Sequence, residues 1–361
     1  MLGRAEHLHS AAGANTFKVV ELRSPYPDAR VLPPKAAKLQ ETQTLAPASA
    51  PLPTVQAKVA ILLCTFQGQA FLEEQLMSFQ AQNHKNWVLH VSDDGSSDDT
   101  RHILHRYQVL LGSNKMSVNQ GPQQGFVANF LSLVLDQDAR ADHYAYSDQD
   151  DVWEADKLAR AVAWLQTIAP DVPALYCSRT RIVDAQNVGI GFSPLFEKPP
   201  CFANALVQNI GGGNTMVFNE AARQLIADTS KDKKVVSHDW WAYIIVSGCG
   251  GEVFYDSYPA VRYRQHANNL VGTNKSFISK VNRLKKIIEG RYREWNVINL
   301  NAVEVSEEKL TRNNLEIIKN FKIARNGKLI ERVTALKKST VRRQSMFEQG
   351  LLYIALFFNK I

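Results

Sequence analysis

The sequence predicts an α/β fold, a doubly wound and mostly parallel sheet followed by a helical C-terminal region. Three observations carry this expectation. Short, continuously apolar runs, the mark of strands buried on both faces, recur from Val59 onward. Stretches with apolar residues at helical spacing lie between them. Polar clusters follow the strands, at the end where open α/β sheets bind their ligands.

Val59-Ala60-Ile61-Leu62-Leu63-Cys64 is the opening strand, closed by the turn Thr65-Phe66-Gln67-Gly68. Phe71, Leu72, Leu76, Met77 and Phe79 then repeat at helical spacing. Trp87–Val91 is the second strand; it runs into Ser92–Thr100, where Ser97 or Asp98 offers an N-cap for a helix through Tyr107. Met116–Asn119 reads as a third strand, Phe126–Leu135 as a helix and His143–Ser147 as the fourth strand. Beyond residue 170 strands are expected at Ala174–Val183, Thr215–Asn219 and Glu252–Asp256, with a loop from Asp184 to Pro200 and an aromatic helix over Ser237–Val246. From Lys275 the pattern is helical and amphipathic, through Ile278, Val281, Leu284, Ile287 and Ile288, and again at Leu315, Ile318, Phe321 and Ile323. Residues 1–57 hold seven prolines and read as a poorly ordered leader, which puts the α/β domain at 58–274 and a basic helical tail at 275–361.

The net charge of +7 is unevenly spread. Residues 275–361 carry 19 Lys+Arg and 8 Asp+Glu, a net +11; of the chain's 42 and 35, 23 and 27 are left for the rest, a net −4. A basic, helix-patterned tail suits an anionic membrane surface, with nucleic acid or an ordinary solvated helix face as the other readings. Cys64, Cys177, Cys201 and Cys249 show no zinc or redox spacing, and the first and second sit in apolar runs as buried thiols, which fits a reducing compartment. Met1–Ser10 is polar and reads as no secretory leader, and the longest late apolar run, Leu351–Phe358, falls short of the ~20 residues of a spanning helix.

The most informative stretch is Tyr146-Ser147-Asp148-Gln149-Asp150-Asp151-Val152-Trp153. Its carboxylates stand at the open end of a buried strand and repel one another by up to ~4 kcal/mol per pair at 4 Å. A hard divalent cation relieves that repulsion and bridges to a phosphate-bearing substrate. The run alone reads equally as an acidic turn capping a helix that begins near Ala155. Two further polar clusters, Thr65-Phe66-Gln67 and Asp93-Asp94-Gly95-Ser96, follow strands and should share its edge. The lack of a Gly-x-Gly-x-x-Gly or Walker-type loop argues against a dehydrogenase or a P-loop enzyme.

With these residues in order, the chain resembles the family 2 inverting glycosyltransferases of the GT-A fold. The resemblance rests on Thr65-Phe66, Asp93-Asp94-Gly95-Ser96-Ser97-Asp98-Asp99-Thr100, Gly125–Asn129-Phe130, Ser147–Trp153, Ser237-His238-Asp239-Trp240-Trp241 and Tyr263-Arg264-Gln265-His266, over roughly residues 58–272. The Asp-Gln-Asp-Asp-Val-Trp form with a late Tyr-Arg-x-His is similar to the bacterial rhamnosyltransferase-like branch, which builds surface polysaccharides. The resemblance implies that Asp94 recognises the donor pyrimidine in a pocket lined by Thr65 and Phe66, and that Asp148 contacts the ribose. It implies Asp150, with His266 as a further ligand, on Mg²⁺ or Mn²⁺, and Asp239 as general base. His266 taken alone also reads as an ordinary histidine. On the acceptor side stand Trp240 and Trp241, whose faces suit a sugar, and Asn214.

Two departures are plain. His238 stands where the family usually has an acid and reads as structural, and Gly213-Asn214-Thr215 replaces a Gly-Cys-Thr-like run, which leaves acceptor specificity open. Trp153 and Trp164 read as core. The implied function is transfer of a sugar, rhamnose from dTDP-rhamnose favoured, to a hydroxyl of a glycan or lipid-linked oligosaccharide. The implied setting is cytoplasmic, peripheral at the inner face of the plasma membrane, with no nucleic-acid partner. A nucleotidyltransferase acting on sugar phosphates and a non-catalytic nucleotide-sugar scaffold stand as alternatives.

Overall fold

The computed structural model describes residues 56–266 and 291–361. The leader expected over 1–57 therefore lies almost wholly outside the described residues, as does the first half of the helical pattern, Ile278 to Ile288.

The sheet begins as read. β1 (Val59–Thr65) is buried at every position and pairs in parallel with β2 (Trp87–Asp93) on one side and β4 (His143–Ser147) on the other; β3 (Met116–Gln120) adds to β2. The remaining strands are β5 (Val152–Trp153), β6 (Ala174–Val183), β7 (Gly189–Phe192), β8 (Val217–Asn219) and β9 (Glu252–Arg264). The order is β3-β2-β1-β4-β8-β6-β9-β5, with β7 on β6. The winding reverses at β1: β2 and then β3 add on one side of it, and β4 on the other.

Alternate residues of β1 serve two cores, as the two-residue strand period requires. Val59, Ile61 and Leu63 face α1 (Leu72–Gln80), α2 (Thr100–Leu111) and α4 (Lys157–Leu165). Ala60, Leu62 and Cys64 face α3 (Phe126–Leu135), α6 (Glu220–Ser230) and α7 (His238–Gly248). A short helix, α5 (Phe202–Ala205), joins the second core. Cys64 and Cys177 are buried free thiols, as expected.

Four local readings change. Thr215 belongs to a single 3₁₀ turn, Gly213–Thr215, and β8 starts only at Val217. The Asp184–Pro200 loop holds β7, which hydrogen-bonds to the end of β6. The α2 cap position is Asp99, while Asp98 accepts from the Thr100 amide at 3.1 Å. Most consequentially, β9 runs past Asp256 to Arg264, accommodated by an irregularity opposite Ser178–Thr180, and so delivers Arg264 and His266 to the edge of the sheet.

The tail is not a separate unit. Helices Arg291–Glu304, Arg312–Asn326, Leu329–Lys338 and Met346–Phe357 contribute Val303, Ile318, Phe321, Leu336 and Leu356 to the same core as Leu62 and Trp241. The periodicity at Ile318 and Phe321 marks a core-facing stripe, with Ile323 left exposed. Asn314 fixes the junction: its amide donates to the carbonyls of Gly248 (2.8 Å) and Ser247 (3.1 Å), capping the C-terminal end of α7. Since Phe321 is fully buried, Phe321→Ala should destabilise the whole domain by ~3–5 kcal/mol in urea unfolding, with one shared transition; a separate tail transition would contradict the shared core.

Candidate active site

The strand register brings the three polar clusters to one edge. Thr65 lies opposite Asp93, and Leu63 opposite Ser147, so the chain leaves β1, β2 and β4 at nearly the same level. The loops are then stitched together. Gln149 donates to the Phe66 carbonyl and accepts from the Phe66 amide, both at 2.8 Å, tying the acidic turn to the β1 loop. A Cβ at Gly68 would meet Gln149 Oε1 at 2.2 Å, so a larger residue there would push Gln149 off Phe66. Gln67, at φ 51°, accepts from the Ser97 and Asp98 amides, and Thr100 Oγ1 accepts from the Gly68 amide at 2.7 Å.

In the second cluster, Asp94 accepts from the Gln123 (2.6 Å) and Gly125 (2.9 Å) amides, so its carboxylate shapes the 121–125 loop as well as the edge. Asp93 accepts from the Ser96 amide at 2.8 Å. Phe66 projects into solvent beside them, whereas Thr65 is buried beneath, its hydroxyl without a hydrogen-bond partner among the described residues.

The acids of the third cluster have separate environments. They do not cap the next helix: α4 starts at Lys157 behind Asp156, and the Leu158 amide donates to Gln82 Oε1 at 3.1 Å. Asp151 is fully buried and accepts from Asn214 Nδ2 and from the Arg264 amide (3.0 Å). Burial raises its pKa, the Asp150 charge adds to that, and the two hydrogen bonds oppose it. Asp148 is also held well above the usual carboxylate range, by desolvation first and then by the charges of Asp151, Asp150 and Asp239. Asp150 Oδ2 lies 2.7 Å from His266 Nε2, across 116 residues of chain. The two residues expected to share an ion are thus in contact.

Among the described residues no three His, Cys, Asp or Glu side chains converge to enclose an ion by themselves. The Asp150–His266 pair offers one carboxylate oxygen and one imidazole nitrogen. That set suits a divalent ion whose other positions go to diphosphate oxygens and water.

Arg264 was missed as a site residue, although it stands inside a motif that drew attention. Fully buried, its guanidinium donates to the Asp150 carbonyl (2.8 Å), the Ala185 carbonyl (2.8 Å) and Glu74 Oε2 (2.7 Å), and it lies over the Phe71 ring at 4.7 Å. The legible signal was an arginine inside the Tyr263-Arg264-Gln265-His266 run together with an acid, Glu74, in the first turn of α1.

On the acceptor side, Asp239 opens α7 and is oriented by three donors: Asn209 Nδ2 (2.9 Å), the Gly213 amide (3.2 Å) and the Trp240 amide (2.7 Å). Gly213 must approach closely, since a Cβ would come 2.5 Å from His238 Nε2. His238 is buried, stacked on Phe130 with centroids 3.8 Å apart, and burial lowers its pKa to about 4 against the pull of Asp239. It is structural, as read.

Three acceptor-side expectations are corrected. Trp241 is fully buried, and Trp240 is covered by Trp295 from the C-terminal helices, its indole N–H donating to the Ala205 carbonyl at 2.7 Å. Neither ring is open to a sugar. Asn214 is buried with its amide bonded to Asp151, so it supports the acidic turn instead of facing an acceptor.

Comparison with known proteins follows the same outline. The profile of Glycosyl transferase family 2 matches residues 60–224. A dTDP-rhamnosyl transferase, RfbG, of Shigella flexneri is 31% identical over 247 residues, 64% of this chain and 81% of that protein. The chain belongs to glycosyltransferase family 2. Another relative, the GalNAc(5)-diNAcBac-PP-undecaprenol beta-1,3-glucosyltransferase of Campylobacter jejuni, is 35% identical over 94 residues, 26% of this chain and 30% of that one. Among solved structures, S. aureus TarS 1-349 superposes with a TM-score of 0.49 at 16% identity, covering 78% of this chain and 80% of that one.

Lys157 is a further buried cation, behind the glycosyltransferase edge. Lys157 Nζ sits 3.5 Å above the Trp153 ring with no hydrogen-bond partner among the described residues, and burial lowers its pKa to about 7, against the pull of Asp151. The unfolded chain, near 10.5, then binds more protons than the native state between about pH 7 and 10.5, so this lysine adds stability as pH rises through that window. Lys157→Met should remove the increment. Urea unfolding of both proteins across the window checks it; identical pH profiles would show that Lys157 keeps an ordinary pKa.

Proposed function

We propose that this glycosyltransferase moves a sugar, with inversion, from a nucleoside diphosphate to a hydroxyl of a glycan or lipid-linked oligosaccharide. Rhamnose from dTDP-rhamnose is the favoured donor. The observation that carries the reading is the opposition of two acidic groups at one edge: an oriented carboxylate, Asp239, and the Asp148–Asp151 turn, whose Asp148 feels the Asp239 charge. The Shigella relative is named for dTDP-rhamnosyl transfer, which supports the donor; the Campylobacter relative is named for a PP-undecaprenol substrate, which supports the acceptor class.

Asp239 takes the proton from the acceptor hydroxyl as the new bond forms at the anomeric carbon. Its three donors hold one rotamer and one face toward the incoming oxygen. Phe66 and Asp94 define the base pocket, with Thr65 beneath it, and Asp148 reaches the ribose. Asp150 and His266 would hold Mg²⁺ or Mn²⁺, which would supply positive charge toward the departing diphosphate. Arg264 keeps the Asp150 backbone in place for that purpose. The protein works at the inner face of the plasma membrane, drawn there by its basic C-terminal region.

Two substitutions separate these roles. Asp239→Asn should leave dTDP-sugar binding intact while lowering transfer by about 10²–10⁴-fold; near-normal turnover would remove Asp239 as the base. Asp150→Ala should abolish the Mn²⁺-dependent part of the donor's thermal stabilisation. An unchanged shift with and without Mn²⁺ would place the ion elsewhere.

A further inference from the structure

We propose that the outer face of the helix Met346–Phe357 is a lipid-contacting surface that seats the protein on an anionic bilayer; this rests on the reading of the acceptor as lipid-linked. The helix has two faces. Leu352, Ala355 and Leu356 pack into the core. On the other side Met346 (81% exposed), Tyr353 (37%), Ile354 (46%) and Phe357 (61%), with Phe358 (65%) just beyond the last turn, form one apolar stripe about three turns long. Gly350 continues the stripe and is also exposed. Large side chains concentrated on one helix face are not the scattered surface hydrophobics of an ordinary exterior.

Charge selects the occupant. Residues 326–361 carry seven Lys+Arg against two acids, Glu331 and Glu348. Glu348, the one acid of the helix, turns inward to Gln208 Nε2 (3.0 Å) and Arg343, so the stripe presents no carboxylate. Lys337 and Lys338 stand exposed on the preceding helix. A second copy of the chain would bring the same cationic surround to the contact, which repels. An anionic headgroup layer over an acyl interior satisfies both the charge and the apolar stripe.

The helix is also joined to the chemistry. Gln208 binds it at two points, accepting from the Gln344 amide (2.8 Å) and donating to Glu348. The next residue, Asn209, holds Asp239. The segment that anchors the helix is therefore the same one that orients Asp239.

Flotation of the full chain with vesicles tests the surface. The wild type should rise with phosphatidylcholine–phosphatidylglycerol vesicles and bind pure phosphatidylcholine weakly. Ile354→Ser with Phe357→Ser should cut partitioning roughly tenfold or more, with donor-induced thermal stabilisation unchanged. Lys337→Glu with Lys338→Glu should remove the preference for the anionic lipid. If the first pair unfolds the protein, Met346→Ser with Phe358→Ser, at the two ends of the stripe, gives the same reading. Wild-type protein that stays off anionic vesicles, or a serine variant that floats as well as wild type, would overturn the proposal. So would a wild-type dimer in light scattering that the serine variant splits without any vesicle binding, since the stripe would then be a subunit contact. Protein that floats yet turns over no donor would instead refute the transferase reading and uphold the surface.

Discussion

The buried guanidinium of Arg264 is the interaction on which the site depends. It ties three pieces of chain together: the acidic turn through the Asp150 carbonyl, the β6–β7 turn through Ala185, and α1 through Glu74. Its own backbone amide meanwhile holds Asp151. Burying such a cation costs several kcal/mol, offset only when its donors are met by good acceptors. Here the acceptors include two loop carbonyls, those of Asp150 and Ala185. Removing any one leaves charge uncompensated in the interior, so the three pieces hold one geometry together.

Around that anchor the electrostatics divide by depth. Asp151 is sealed and bonded, Asp148 is held toward its neutral form by burial and by its neighbours, and Asp150 reaches the surface beside His266. Like charges crowded this closely do not ionise together without a cation nearby. The same crowding that would weaken an ordinary turn is what the proposed cation would relieve.

Much of this was legible in the sequence. Continuous apolar runs at Val59–Cys64 and His143–Ser147 located the central strands, because a strand covered on both faces must be apolar throughout. The convergence of the clusters after β1, β2 and β4 followed from parallel topology. Contacts made across long stretches of chain were not legible. An aromatic pair at the start of α7 reads alike whether it faces a sugar or a core, and Trp240 is covered by Trp295, a residue more than fifty positions away. Ile318 and Phe321 keep the same period facing a core as facing a bilayer, so amphipathicity alone does not tell the two apart in the region that closes the second core. Asn214 and Arg264 carry their roles only through partners that sequence spacing does not reveal.

The capping of α7 by Asn314 has a consequence for how the domain behaves as a machine. That helix bears Asp239 in its first turn and is gripped at its last carbonyls by a side chain from the C-terminal helices. It is therefore held at the end opposite Asp239 as well as along its buried face, over a helix of 11 residues. The C-terminal helices, remote from the donor edge in sequence, thereby help to fix the backbone from which Asp239 projects.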